Sequence, residues 1–253
     1  MDVKKISEKG SSTKILVKGI DAVLMNSIRR TIMSNVPVLA VEDVYIYDNA
    51  SVVFDEFLAH RLAMIPIKSD DPKAYKAGDK IKLMLDKEGP CTVYSGDIQS
   101  TDPSIEVVDK KVPITKLKKG QRLKLEMDAV SGTGNEHSKW QPALVAYSEV
   151  PEVSFDMKKI GDAEKFVGKC PKGVLEVKAG KVVLADAVDT DIDLLSKCAD
   201  LAPNEGMEIS FKDDSFIIRI DNYGNMKTDS MFVQATEVLR EKAQDFRKEL
   251  KKL

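Results

Sequence analysis

Histidine and cysteine, which most often carry metal and covalent chemistry, are scarce in this sequence. There are two histidines and three cysteines among 253 residues. An odd number of cysteines in a chain without signs of secretion argues against a disulfide framework, so we expect Cys91, Cys170 and Cys198 to be reduced and mostly buried. The one alternative is a zinc site made of residues that are distant in the sequence, namely Cys170, Cys198, His60 and His137. No local pair has the spacing of zinc ligands, so we predict no metal.

Long apolar runs are also missing. No stretch approaches the roughly 20 apolar residues that a membrane-spanning helix needs. The first five residues, with Asp2, Lys4 and Lys5, lack the apolar core of a signal peptide. We therefore expect a cytoplasmic protein with no membrane contact. A hydrophobic fraction of 43% with 32% charged residues is typical of a globular chain.

The charge balance contains no excess of either sign. Lysine and arginine number 39 and aspartate and glutamate 41, which gives a net charge of −2. Affinity for nucleic acid depends mainly on positive charge that meets phosphates. A free-standing nucleic-acid-binding module is therefore disfavoured, since it would require salt-sensitive binding by the chain alone, and we expect no direct contact with nucleic acid.

The first forty residues predict two strands and a helix. Residues 3–6 and 14–19 alternate in β fashion. Asp21 can cap a helix whose apolar residues recur every four positions from Leu24. That helix should end before Pro37, because proline disfavours helical geometry at the residue before it.

The middle of the chain, to about residue 150, predicts an antiparallel sheet domain of short strands with one helix at 54–63. The predicted strands are 41–47, 80–85, 92–95, 105–108, 122–130 and 142–147.

From residue 155 to 203 the composition changes, and the pattern predicts a small unit of helices and one hairpin. Its segments are a helix at 161–167, a hairpin of 174–177 with 181–184, and a helix at 192–199. Strands at 207–211 and 216–220, joined by a turn at 212–214, should follow. A last helix should begin near residue 228 or 229, with Ala235, Val238, Leu239, Phe246 and Leu250 on one face.

Two segments carry charge beside apolar residues. Arg29 and Arg30 lie in a helix stripe, where spacing alone indicates a solvated basic edge. The alternative is a partner-facing helix, because arginine binds carboxylates in bidentate fashion and is enriched at interfaces. His60 and Arg61 are embedded in the dense apolar segment 57–67. No nucleophile is placed to use His60, so spacing predicts core and no catalytic residue.

These segments resemble the signatures of the D/alpha family of RNA polymerase subunits, which comprises the archaeal D-type subunits, their eukaryotic counterparts and bacterial alpha. The stretches that carry the resemblance are 26–33, 36–44, 55–67, 134–142 and 216–250. They occur in the family's order and span nearly the whole chain.

The resemblance implies an α+β fold in three parts. These are a discontinuous dimerisation domain (1–44 and 206–253), an inserted and mainly antiparallel β domain (45–154) and a degenerate ferredoxin-like insert (155–205). It implies a non-catalytic assembly subunit of DNA-dependent RNA polymerase, with no catalytic site of its own. The expected partners are the L-type subunit, as a heterodimer that nucleates core assembly, then the small N-type and P-type subunits and the large catalytic subunits.

The resemblance also implies which residues lie at interfaces. Helices 21–35 and 229–250 should form the dimer contact, and Arg29 and Arg30 should dock a large subunit. The full set of expected interface residues is Asn26, Arg29, Arg30, Phe57, His60, Arg61, Leu239 and Phe246.

Many family members hold iron–sulfur clusters in the insert through C-x₂-C-x₂-C-x₃-C-P runs. The corresponding positions here are Ile160, Ala163, Phe166, Cys170, Ile192, Leu195, Cys198 and Ala202. Two thiolates cannot replace a full cysteine set, so we expect no cluster, with Cys170 and Cys198 as remnants of ligand positions. The alternative function, an iron–sulfur redox carrier, predicts a brown protein after anaerobic purification, and a colourless preparation without iron would remove it.

Overall fold

The structure is a computed structural model that describes residues 1–68, 75, 78–185 and 191–252. These residues form a mixed α+β fold whose strand pairs include antiparallel hairpins and ladders, which confirms the predicted class at that level. Among the helices in the described part of the chain, none combines the length and hydrophobicity that a membrane crossing requires.

The strands in chain order are β1 (Asp2–Lys9), β2 (Ser12–Lys18), β3 (Val38–Asn49), β4 (Ile81–Glu88), β5 (Cys91–Tyr94), β6 (Gln99–Ser100), β7 (Pro113–Leu117), β8 (Arg122–Gly132), β9 (Ala143–Phe155), β10 (Leu175–Lys178), β11 (Lys181–Leu184) and β12 (Met207–Asn222). The helices are α1 (Ala22–Asn35), α2 (Asp55–Ala63), α3 (Met157–Ile160), α4 (Ala163–Val167), α5 (Ile192–Asp200) and α6 (Thr228–Leu250).

The chain divides into two compact units, each made of two segments. The first unit contains Met1–Asn26 and Ala146–Arg219, and the second contains Ser27–Val145 and Ile220–Leu253. The three-part division expected from the family resemblance stays a prediction.

The first unit contains most of a sheet with the strand order β1-β2-β12-β9. Phe216 of β12 is buried and meets Tyr147 of β9 edge to face, with ring centroids 5.6 Å apart. The predicted turn at 212–214 is wrong, because β12 runs without a break through those residues. The Asp214 carbonyl accepts from the Gly19 amide at 2.8 Å. Backbone hydrogen bonds thus keep the polar residues 212–214 in the strand, although their side chains are typical of a turn.

The second unit contains a sheet with the order β3-β8-β4-β6. Alternate residues of β4 (Ile81, Leu83 and Leu85) are buried, as a sheet with one apolar face requires. Helix α2 packs on that face through Leu58 and Leu62, one turn apart and fully buried. Burial of each contributes about 1.5–3 kcal/mol.

The predicted strand at 105–108 is wrong in the same unit. Ile105 and Val107 are buried and alternate as in a strand, yet Val107 makes only an isolated bridge to Ile67. Ile105 and Val107 are buried because they pack with the irregular segment after α2, and not because they pair in a ladder of strand hydrogen bonds. Strand β7, which pairs with β5, was not predicted from the sequence.

A buried anchor precedes α6 in the second unit. The Asn225 side-chain amide donates to the Ile67 carbonyl at 2.9 Å, across 158 positions of sequence. Gly224 has a φ of +91°, and an added Cβ would lie 2.3 Å from a methyl of Val108. Only glycine fits this close approach without displacing its neighbour. The start of α6 is therefore fixed to the segment that follows α2.

Replacing Asn225 with alanine removes the donor to the Ile67 carbonyl. We expect the free energy of unfolding to fall by about 1–3 kcal/mol, because a buried acceptor loses its partner. Urea titration followed by circular dichroism measures the change. Asn135→Ala, at an exposed side chain, is the matched control and should stay within about 0.5 kcal/mol of the parent. An equal fall in the free energy of unfolding of the two variants would contradict a stabilising role for the Asn225–Ile67 hydrogen bond.

Candidate functional site

Helix α1 has the capping predicted for it. The Asp21 carboxylate accepts from the Leu24 amide at 2.7 Å, and the helix ends at Asn35, before Pro37. Within the predicted stripe, Ile28 and Ile32 are buried and Leu24 is exposed.

The two arginines of α1 have different surroundings. Arg29 is half-buried, with Nη1 3.7 Å from the Met33 sulfur, whereas Arg30 is exposed. Asn26 on the same helix is half-buried. Arg30 is thus the more accessible cation. A substitution of Arg29 also removes its contact with Met33.

The first half of α6 is partly buried. Met231 and Ala235 are buried, and Leu239 is half-buried one turn later. Farther along, the Lys242 ammonium donates to the side-chain oxygen of Asn35 at 3.0 Å, at the end of α1. The predicted apolar face is therefore covered only in its N-terminal part.

Residues 241–250, the α6 tail, are all exposed. The tail includes Phe246, which is 68% exposed, and Leu250, which is 51% exposed. At 1.5 Å per residue the tail is about 15 Å long. An isolated helix of that length is only marginally stable in water. The tail thus presents Phe246 and Leu250, one turn apart, as an exposed apolar stripe.

The outer face of α2 borders an open groove, called here the α2 groove. One wall consists of Phe57, His60, Arg61 and Met64, and the other is the segment 112–114. The groove has a volume of about 380 Å³. Phe57 is 57% and Met64 44% exposed, although both are large and apolar. The three predicted interface residues of this segment therefore line one concave and mostly apolar surface.

Arg61 has an incomplete set of hydrogen bonds. Its Nη2 donates to the Pro113 carbonyl across the groove. Its Nε is buried and has no acceptor among the described residues. The opposite wall was not foreseen from the sequence, because residues 112–114 follow α2 by about fifty positions and only the fold brings them to it.

The segment 133–137 docks on the end of α1. The backbone N–H of Asn135 donates to the Ser34 carbonyl at 2.8 Å. A Cβ on Gly134 would lie 2.0 Å from the Met33 carbonyl oxygen. Glycine is thus required where this loop meets the helix.

Lys139 is a structural cation that sequence reasoning missed. Its ammonium donates to the Val41 carbonyl at 2.9 Å, pairs with the Glu42 carboxylate and lies 4.3 Å from the Trp140 ring centroid. This combination of ion pair and cation–π contact fixes the segment after the loop onto β3.

Of the eight positions that correspond to cluster ligands, all but Ile192 come together in the first unit. They share one buried apolar cluster whose members include Ile160, Ala163, Phe166, Cys170, Leu195 and Cys198, with Ala202 packed against it. Apolar side chains offer no iron ligand, and Phe166 is among the largest fully buried side chains. The donor set does not fit an iron–sulfur cluster.

The two remaining thiols are neighbours. Burial, and then hydrogen bonding to Cys170, raise the pKa of the Cys198 thiol to about 12. Cys170 is buried as well, whereas Cys91 on β5 is half-buried. Within the residues that the structure describes, no group of three or more histidine, cysteine or acidic side chains is placed to hold a metal ion.

Comparison with known proteins first defines the class. The sequence model of the RNA polymerase Rpb3/RpoA insert domain matches residues 44–146, which contain α2, the α2 groove and most of the sheet of the second unit.

Curated relatives then define the family over the whole chain. The DNA-directed RNA polymerase subunit Rpo3 of Halobacterium salinarum is 34% identical over 248 residues, which cover 96% of this chain and 95% of the relative. The Rpo3 of Pyrococcus furiosus is 34% identical over 262 residues (100% and 98%), and that of Methanopyrus kandleri 31% over 255 residues (94% and 90%). The chain belongs to the Rpo3 family of DNA-directed RNA polymerase subunits, which confirms the resemblance to the D/alpha family.

The cysteine environments predict which thiol reacts in the folded protein. A thiol attacks as its thiolate, and a pKa near 12 leaves Cys198 almost fully protonated at pH 8. We expect its alkylation in the native chain to be much slower than that of an exposed thiol, because Cys198 is both buried and protonated. Iodoacetamide labelling with mass spectrometry should find Cys91 modified first, and all three cysteines after unfolding. Rapid native labelling of a Cys91→Ser variant would contradict this.

Proposed function

We propose that the chain is a non-catalytic assembly subunit of RNA polymerase that forms a heterodimer with an L-type subunit and so nucleates the core enzyme. The observation that carries this proposal is the α6 tail, where every residue is exposed, Phe246 and Leu250 among them. Covering an apolar side chain of this size contributes about 1.5–3 kcal/mol. Membership of the Rpo3 family makes another polymerase subunit the natural source of that cover.

The dimerisation domain is proposed to be discontinuous, from residues 1–44 and 206–253. The sheet order supports this, since β12 from the C-terminal part of the chain is the neighbour of β2 from its N-terminal part. Helices α1 and α6 would supply the contact with the L-type subunit, through Asn26, Leu239 and Phe246. Their Asn35–Lys242 hydrogen bond holds the two helices together beside that surface.

The rest of the chain is proposed to form two inserts. Residues 45–154 form the inserted β domain, most of which lies within the stretch that the insert-domain model matches. Residues 155–205 form a degenerate ferredoxin-like insert. Two short helices, the β10–β11 hairpin and α5 around one buried cluster support that assignment.

We propose further that this insert holds no iron–sulfur cluster. Phe166, Ile160 and Leu195 stand at positions where cluster ligands would be, and they are buried together. Close packing of these apolar side chains would stabilise the insert without metal. The alternative of a redox carrier loses its chemical basis for the same reason.

Other polymerase subunits are proposed to contact the remaining exposed surfaces. Arg29 and Arg30 of α1 would help dock a large catalytic subunit. The α2 groove, with Phe57, His60 and Arg61, would meet a further subunit, with the small N-type and P-type subunits among the candidates. Catalysis would then belong to the large subunits, in a cytoplasmic complex where this chain touches no nucleic acid.

Introducing a charge into the α6 tail tests the dimer contact. Phe246→Asp should weaken the one-to-one complex with an L-type subunit by at least about tenfold, because a carboxylate replaces a ring that the complex would bury. Light scattering after size exclusion measures the mass of each mixture. Gln244→Asp is the matched control, since two residues along a helix place it about 200° away. A mass unchanged by Phe246→Asp, or a parent chain that ignores the L-type subunit, would contradict the proposal.

Replacing Arg29 and Arg30 with alanine tests the docking of a large subunit. The double variant should fold and bind the L-type subunit as the parent does, but yield less core enzyme on co-expression, because carboxylate partners lose their arginines. The matched control is alanine at Lys158 and Lys159, an adjacent pair of cations on the first unit. Equal yields of core enzyme from the two double variants would refute the assignment.

A further inference from the structure

We infer that the α2 groove binds a protein segment of another polymerase subunit in which a large apolar side chain lies close to an aspartate or glutamate. The apolar side chain fills the groove, and the carboxylate pairs with Arg61. This inference rests on the proposed function and deepens it, since it states the chemistry of the partner at one assembly surface.

The walls of the groove define the apolar part of the partner. Leu58 and Leu62 hold α2 to the core of the second unit, and this orients Phe57 and Met64 outward. Large apolar side chains that are about half exposed on a concave surface indicate a binding site and not a solvated face. The groove, at 380 Å³, has room for at least one large apolar side chain.

The charge at the groove defines the polar part. The Arg61 guanidinium donates to a neutral acceptor, the carbonyl of Pro113, and its buried Nε has no acceptor among the described residues. A buried guanidinium N–H that has no acceptor is costly. A carboxylate from a partner would supply that acceptor, and guanidinium–carboxylate pairs have the geometry and strength for it.

The same observations disfavour nucleic acid as the occupant. Arg61 and His60 are the ionisable side chains that line the groove, and the remaining lining is apolar. Phosphate recognition uses several cations on a polar surface. Protein interface cores instead combine aromatic residues, methionine and arginine. The groove presents Phe57, Met64 and Arg61.

Photo-crosslinking identifies the occupant directly. Phe57 is replaced with p-benzoyl-phenylalanine in the chain co-expressed with the L-, N- and P-type and large subunits of its own polymerase. Irradiation of the purified enzyme and mass spectrometry of the crosslinked peptide should show one segment of another subunit, with an acidic residue within about four positions of the crosslink. The same replacement at Tyr47, which is exposed on β3 outside the groove, is the matched control.

Charge reversal tests the carboxylate. Arg61→Glu should lower incorporation into the polymerase by at least about tenfold, and changing the crosslinked acidic residue to arginine should restore it. Lys82→Glu, the same change at an exposed strand residue, should have no such effect. Restoration by the second charge excludes misfolding as the cause.

The inference is overturned if the Phe57 crosslinker in assembled enzyme labels nothing, labels a second copy of this chain, or labels a segment without an acidic residue. A chain that never enters the polymerase would instead refute the proposed function.

Discussion

Helix α6 has buried residues only along its first half, and this constraint governs how the chain can act. Met231 and Ala235 are buried, but the exposed tail carries Phe246 and Leu250 into solvent. A marginal helix with an apolar stripe gains stability when another surface covers it. The tail is therefore the part of α6 that the proposed contact would cover.

Two of the proposed contact surfaces share one support. The side-chain amide of Asn225 donates a hydrogen bond to the Ile67 carbonyl, and this bond holds the start of α6 to the segment directly after α2. The neighbouring residue Pro66 lines the α2 groove. Because the second unit contains both, a rigid core sets the position of the groove and of the start of α6 together. A scaffold that joins several partners needs such a fixed geometry.

Local chemistry determined what the sequence could predict. Asp21 and Pro37 delimit α1, and the pattern at 54–63 predicts the helix observed as α2. Tertiary pairing determined the failures, since β12 keeps polar residues in a strand and residues 105–108 are buried without a ladder. Phe57, His60 and Arg61 could be chosen from the family resemblance. The buried Nε of Arg61, which has no acceptor among the described residues, could not be predicted, because it depends on every residue that packs around it.

The central claim is that another subunit covers the α6 tail, and hydrogen–deuterium exchange at residues 241–250 tests it most directly. In the chain alone these amides should exchange rapidly, as expected of an unsupported helix end. In a one-to-one mixture with an L-type subunit they should become strongly protected, while the amides of α2 change little. Equal exchange of the tail with and without that subunit would contradict the account.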